Sequence, residues 1–194
     1  MALRKIEIDK IGYGYYNLLF PCLTAESRER SVAWLKERPK PMFIAGVETP
    51  KDLNRLTYGQ LCDIQEHGTD IDGVLHAVSV VLPNVKTEQL TKERAAVVVG
   101  FVAWIGRELK RINRLFAKIA PRYTPEQIAA GVNGLQFGTF GVLDWYAKRQ
   151  GMADQNDVRA VPWVRIYQCM KNDAALADYE QRLQKIITNK IKTK

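Results

Sequence analysis

The chain has 194 residues, 46% of them apolar, which suffices for one domain of ordinary size with its own core. Its formal net charge is +8, yet residues 1–97 hold 13 basic and 13 acidic side chains, so the whole excess falls in residues 98–194, with 16 basic and 8 acidic. Such a half favours acidic partners (nucleic acid, an anionic membrane or an acidic protein face) or serves as a well-solvated surface. Cys22, Cys62 and Cys169, with no C-x-x-C spacing, argue against a disulfide framework and for a reducing compartment. With two histidines, His67 and His76, no Cys/His set has zinc-ligand spacing.

The opening MALRKIEIDKIGYGYYNLLFPC does not read as a signal peptide, because Glu7 and Asp9 interrupt any apolar core. The longest uncharged apolar run, Ala95 to Gly106, is about half a membrane span, so a soluble cytoplasmic protein is expected. Alternation around Ile6, Ile8 and Ile11 predicts a short strand, followed by a docking segment. There Tyr13, Tyr15, Tyr16 and Phe20 pack on the chain's own core or, as an arm, on a neighbouring subunit. Thr24 to Arg38 reads as an amphipathic helix capped by Thr24 and stopped by Pro39 and Pro41. MFIAGV, residues 42–47, predicts a strand, and ETPKDLNR a turn-rich link.

Thr57-Tyr58-Gly59-Gln60 matches a capping box in front of Leu61 and Ile64, with Gly68 ending that helix. Ile71 to Leu82 is apolar at helical spacing, and Pro83 closes it. A long helix follows, ending at Pro121. In it Val98, Val102, Ile105, Leu109, Ile112, Phe116 and Ile119 alternate steps of four and three, an a/d seam. Beside the seam, Arg107, Lys110, Arg111, Arg114 and Lys118 gather cations on one face, and the sole acid in residues 95–125 is Glu108. Gly100 and Gly106 lie off the seam, where they permit close helix approach. This is the layout of an interaction helix: an apolar stripe to bury, as the centre of a bundle or as a coiled coil, and a basic stripe to offer a partner.

Thr124-Pro125-Glu126-Gln127 places Thr at N-cap, Pro at N1 and Gln at N3, predicting a helix from there to about Arg149, stopped by Gly151. On it Gly131, Gly134, Gly138 and Gly141 step by three, four and three. GVNGLQFG lacks the Lys-Ser/Thr ending of a phosphate loop, and GVNG is a bare G-x-x-G, a weak nucleic-acid pattern. The four are therefore read as a glycine face that lets another helix come close, with Phe137, Phe140 and Trp145 packed around it. Asp157 to Met170 predicts a short helix in which Trp163, after Pro162, is a core anchor, as Trp104 and Trp145 are in theirs. Asp173 is expected to cap a last helix ending near Ile187, before a frayed basic tail, residues 188–194.

These elements add up to a mainly helical, all-α fold: a bundle of six or seven helices around a long central one. An N-terminal extension or arm, residues 1–55, holds one short helix and one or two short strands. The helical domain is residues 56–187. No catalytic constellation emerges. His67 suits a helix C-terminus, Asp70 and Asp72 suit a helix start, and no Ser or Cys sits in a nucleophile elbow. A non-enzymatic protein without cofactor or metal is expected. No aromatics interleave with the basic stripe and no helix-turn-helix pairs with it, so an acidic protein surface ranks ahead of nucleic acid as its partner.

The order LTYGQLCDI (56–64), an apolar helix, AGVNGLQFGTFGVLDWYAKRQG (130–151), DVRAVPWVRIYQCM (157–170) and YEQRL (179–183) resembles small helical proteins of tailed-phage morphogenesis modules, above all tail assembly chaperones. In that family a "tyGq" helix start, a glycine-rich helix and a "dV..-pW" segment recur before a short C-terminal helix. The resemblance spans residues 56–187. It implies a non-enzymatic, homo-oligomeric protein of the host-cell cytoplasm that coats the tape-measure protein and keeps it soluble until the tail tube polymerises. The seam and glycine face would then serve self-association or grip on a helical client. Residues 1–55 and the basic half, which the family pattern does not account for, also suit a protein retained in the virion, such as a head–tail adaptor or ring subunit whose basic surface faces DNA or an acidic portal. A nucleic-acid-binding regulator is the third reading.

Overall fold

The computed structural model of the protein describes residues 10–67, 71–119, 121, 123–135 and 137–192. Among them the chain is mainly helical, with one two-stranded sheet. The expected strand around Ile6 and Ile8, the helix stop at Gly68, and Asp70 lie outside the described residues. The chain divides into two compact units: residues up to Leu53 with Gln60–Arg111, and Asn54–Gly59 with Ile112 onward.

In the first unit, helix α1 (Tyr13–Leu19) buries Tyr13 and Tyr16 in a cluster with Trp34, Leu35, Ala95 and Val98. Backbone bonds tie it down: the Tyr13 N–H donates to the Glu93 carbonyl at 2.7 Å and the Ala95 N–H to that of Ile11 at 3.0 Å. This stretch of the predicted extension thus packs on the chain's own core. Helix α2 (Ala25–Lys36) begins where the Thr24 hydroxyl accepts the Ser27 N–H, as its sequence predicts. Where one strand is expected over residues 42–47, two short ones form, β1 (Phe43–Ile44) and β2 (Val47–Glu48), paired antiparallel. Ala45 and Gly46 turn between them with φ of 48° and 80°, the left-handed pair that a two-residue hairpin needs.

Helices α3 (Tyr58–Glu66) and α4 (Ile71–Val81) start where expected, and a short α5 (Thr87–Lys92) precedes the long α6 (Ala95–Lys118). Of the seam residues, Val98, Ile105 and Ile112 are buried, whereas Val102, Leu109, Phe116 and Ile119 are half-buried. Burial of Ala95, Phe101 and Trp104 widens the stripe beyond strict a/d positions. Gly100 does serve close approach, though to a loop: a Cβ there would lie 3.0 Å from the Arg38 Cβ and 3.2 Å from the Pro39 carbonyl oxygen. Gly106 faces open space.

The lone acid of this stretch, Glu108, takes up a cation of the stripe. Its carboxylate accepts Arg111 Nε at 3.0 Å and Nη2 at 2.8 Å, and the Leu53 N–H at 3.3 Å. Those Arg111 bonds, assisted by Leu53, hold its pKa below the usual 4.5. A depressed folded-state value means that the carboxylate stabilises the fold above the ordinary carboxylate range and loses this contribution as pH falls through the folded value. Glu108→Gln should cost about 1–2 kcal/mol at neutral pH. Its stability should also fall less than wild type's on acidification below 4.5, as urea titrations across that range would read.

In the second unit the sequence expects one helix from Thr124 to Arg149, and the chain breaks it. The capping box forms as predicted, with the Thr124 hydroxyl accepting the Gln127 N–H at 3.3 Å and the Gln127 side chain accepting the Thr124 N–H at 2.9 Å. Helix α7, however, ends after one turn (Pro125–Ala129). Gly131 turns left-handed, a 3-10 turn covers Val132–Gly134, and α8 runs from Gly138 to Gln150, capped by left-handed Gly151. Gly131, Gly134, Gly138 and Gly141 therefore share no helix face. Gly131 and Gly138 have φ of 85° and 55°, which glycine adopts without the Cβ penalty, so here glycine breaks the helix that its spacing predicts.

A 3-10 turn (Gln155–Ala160) then leads through Val161 and Pro162 into α9 (Trp163–Lys192), one 30-residue helix. Asp173 caps nothing there: it lies within α9 and accepts both bonds from Arg149, at 2.5 and 2.7 Å. Nor is the tail a separate element as far as it is described, since α9 carries residues 188–192.

Two of the motifs in the quoted order dock on each other in this unit. Thr57 bridges antiparallel to Pro162, the Tyr58 N–H donates to the Val161 carbonyl at 2.8 Å, and the Trp163 N–H donates to that of Leu56 at 3.2 Å. Gly59 is the contact point, since a Cβ there would meet both the Cβ and the carbonyl oxygen of Arg159 at 2.9 Å.

Candidate functional site

The second unit carries a half-open groove of about 650 Å³ between α8, the middle of α9 and the segment after α6. Its walls are apolar: Tyr123, Phe137, Val142, Trp145 and Met170, over a floor of small side chains at Gly141, Ala174 and Ala177. Lys118, Asp173 and Asp178 supply charge along it. The local reasons are legible. The left-handed Gly138 starts α8 with Phe137 outside the helix, and that ring stands 69% exposed. Alanines at 174 and 177, one turn apart on α9, leave the depth open. Arg149 reaches from α8 to Asp173 on α9, and its guanidinium lies 5.8 Å from the Trp145 ring centre. Phe140, Leu135, Ile128 and Tyr123 are also exposed in this unit, more apolar surface than scattered surface residues need.

The structure places the expected partner-binding cations differently. Arg111 is half-buried against Glu108, and Arg107, though exposed, donates to the Lys36 carbonyl at 3.4 Å. Lys110 and Arg114 are exposed and engaged with other groups. Lys118 alone of the five borders the groove. Of the three tryptophans, Trp104 and Trp163 are buried anchors at 9% and 2% exposure, and Trp145 is a half-buried groove wall. Phe137 and Met170 come to the groove only through the helix break between α7 and α8 and the uninterrupted run of α9, neither of which local spacing signals.

His67 and His76 stack at 3.7 Å between ring centres in the first unit; Nδ1 of His67 lies 2.7 Å from the Asp63 carbonyl oxygen. Among the described residues no group of three His, Cys, Asp or Glu side chains is placed to hold a metal ion. No helix among them is long and apolar enough to cross a membrane. Apolar walls, small floor residues and a few charges suit the side chains of another polypeptide, such as an amphipathic helix laid in a groove. Comparison with protein-family models, with curated proteins and with solved structures finds no match to this chain.

Proposed function

We propose that this chain is a non-enzymatic phage assembly protein, most like a tail assembly chaperone, which holds apolar helical stretches of a tape-measure protein until the tail tube encloses them. The groove of the second unit carries the reading: an apolar trough with exposed aromatics at its edge is a client-binding surface in search of a helix. The motif order supports it, since two segments quoted for the family resemblance, around Gly59 and around Trp163, are joined in the same unit as the groove. The site of action is then the host cytoplasm during assembly.

Co-expression with a tape-measure protein tests this. The wild-type chain should raise the soluble fraction of the client severalfold, and Phe137→Asp, at an exposed groove wall, should abolish most of the gain without lowering the chain's own helicity. An unchanged soluble fraction with wild type would end the chaperone reading. The second reading, a structural virion component, draws on the basic excess of residues 98–194. It requires the protein in purified particles, where mass spectrometry would find it.

A further inference from the structure

We propose that the segment joining α2 to β1, residues 36–40, and the face of α6 beneath it bind the phosphate backbone of a single-stranded nucleic acid. The sequence sets Lys36, Arg38 and Lys40 at alternate positions, and Pro39 and Pro41 hold Arg38 and Lys40 out of helical backbone. The structure seats this segment along α6. A Cβ at Gly100 would touch the Arg38 Cβ at 3.0 Å, the Lys40 ammonium stands 5.0 Å from the Trp104 ring centre, and Arg107 donates to the Lys36 carbonyl at 3.4 Å. Gly100, Trp104 and Arg107 step by four and three along one face of α6, a span of about 10 Å. Lys36, Arg38, Lys40 and Arg107 are thus gathered on one side of the first unit.

Arg38 carries the inference. Its guanidinium lies 4.1 Å from the Trp34 ring centre, which fixes the head without neutralising it. Among the described residues none of its side-chain N–H groups finds an acceptor, and the Nε is buried. A guanidinium is a fork of donors, and an oxyanion is the ligand that takes several of them at once. No carboxylate neutralises the cluster: Lys36, Arg38, Lys40 and Arg107 form no ion pair among the described residues, whereas Arg30, Arg111, Lys148 and Arg149 each hold one. Glu37 is the one acid of residues 34–43, and residues 100–107 have none. Anions repeated along a chain match cations spread over this distance better than one isolated phosphate does. An exposed ring favours a polynucleotide over an acidic polypeptide. Phe43, which opens β1 three residues after Lys40, is 55% exposed. A ring beside a cationic track stacks a base while the cations follow the backbone, and an acidic polypeptide has no base to place there. The site belongs to the first unit and the groove to the second, so it does not depend on the chaperone reading.

Fluorescence anisotropy of a labelled polythymidine oligonucleotide with the full chain tests this. The chain should bind, and a fourfold rise in salt should weaken binding about fiftyfold, the effect of about four phosphate contacts on a single strand. Arg38→Gln should weaken binding about tenfold and lower its salt dependence. Phe43→Ala, which removes the ring and no charge, should weaken it about tenfold with the salt dependence kept. Lys36→Gln, at an exposed position, should weaken it severalfold with unchanged far-UV circular dichroism, so that a folding defect in Arg38→Gln cannot pass for a lost contact. Arg182→Gln, which removes the same charge from an exposed position in the second unit, should leave affinity within about twofold. No binding by wild type, an equal loss from Arg182→Gln, indifference to Phe43→Ala, or displacement of the oligonucleotide by polyglutamate of equal charge would each overturn the proposal.

Discussion

Trp163→Ala is expected to destabilise the chain by about 3–5 kcal/mol, the usual cost of emptying a buried tryptophan site. Trp163 is 2% exposed at the first position of α9. Its ring lies 6.1 Å from that of Phe116 and 6.3 Å from that of Tyr167, and its N–H holds the Leu56 carbonyl. Losing it removes apolar contact from α6 and the start of α9 together. Measured against a total stability of about 5–15 kcal/mol, the loss is large enough to populate unfolded chain at 37 °C. Urea denaturation followed by far-UV circular dichroism would read it. Trp145→Ala supplies the contrast: Trp145 is half-buried at the groove, so its loss should cost much less stability and act mainly on client solubility. Equal costs at the two sites would refute their separation into anchor and groove wall.

Gly59→Val should destabilise by about 2–3 kcal/mol through overpacking. The Cβ of any residue at 59 would sit 2.9 Å from the Arg159 carbonyl oxygen, a backbone atom two residues before the docking of residues 56–58 on 161–163. It can yield only by separating the two segments. The opposite sign is expected at Gly106, in the interior of α6, where nothing lies within 4 Å of a Cβ. There Gly106→Ala should stabilise by about 0.5–1 kcal/mol, because alanine loses less backbone entropy in a helix. Thermal melts of both variants, shifting in opposite directions, would establish that the two glycines are present for different reasons.

Much of the helical frame is legible in the sequence because its signals are local. Thr24 and Thr124 start helices by accepting a backbone N–H three residues on, contacts that need no distant partner. The apolar periodicity of residues 95–118 likewise requires burial of one face, wherever the covering elements come from. The candidate site is far less legible. Gly131, Gly134, Gly138 and Gly141 have the spacing of a helix face, but a glycine allows left-handed backbone as readily as helix, and spacing cannot say which will win. Asp173 has the chemistry of a cap and is instead carried through by α9 while Arg149 claims its carboxylate.

By itself the sequence determined the helical class, the starts of α2 and α7, and the apolar character of α6, all of which follow from interactions within a few residues. Only the tertiary structure decided that Gly59 meets Arg159 and that α8 and α9 leave an apolar groove between them. Both bring together segments separated in the chain. Such outcomes depend on shape and distance in space, which residue spacing along the chain does not encode.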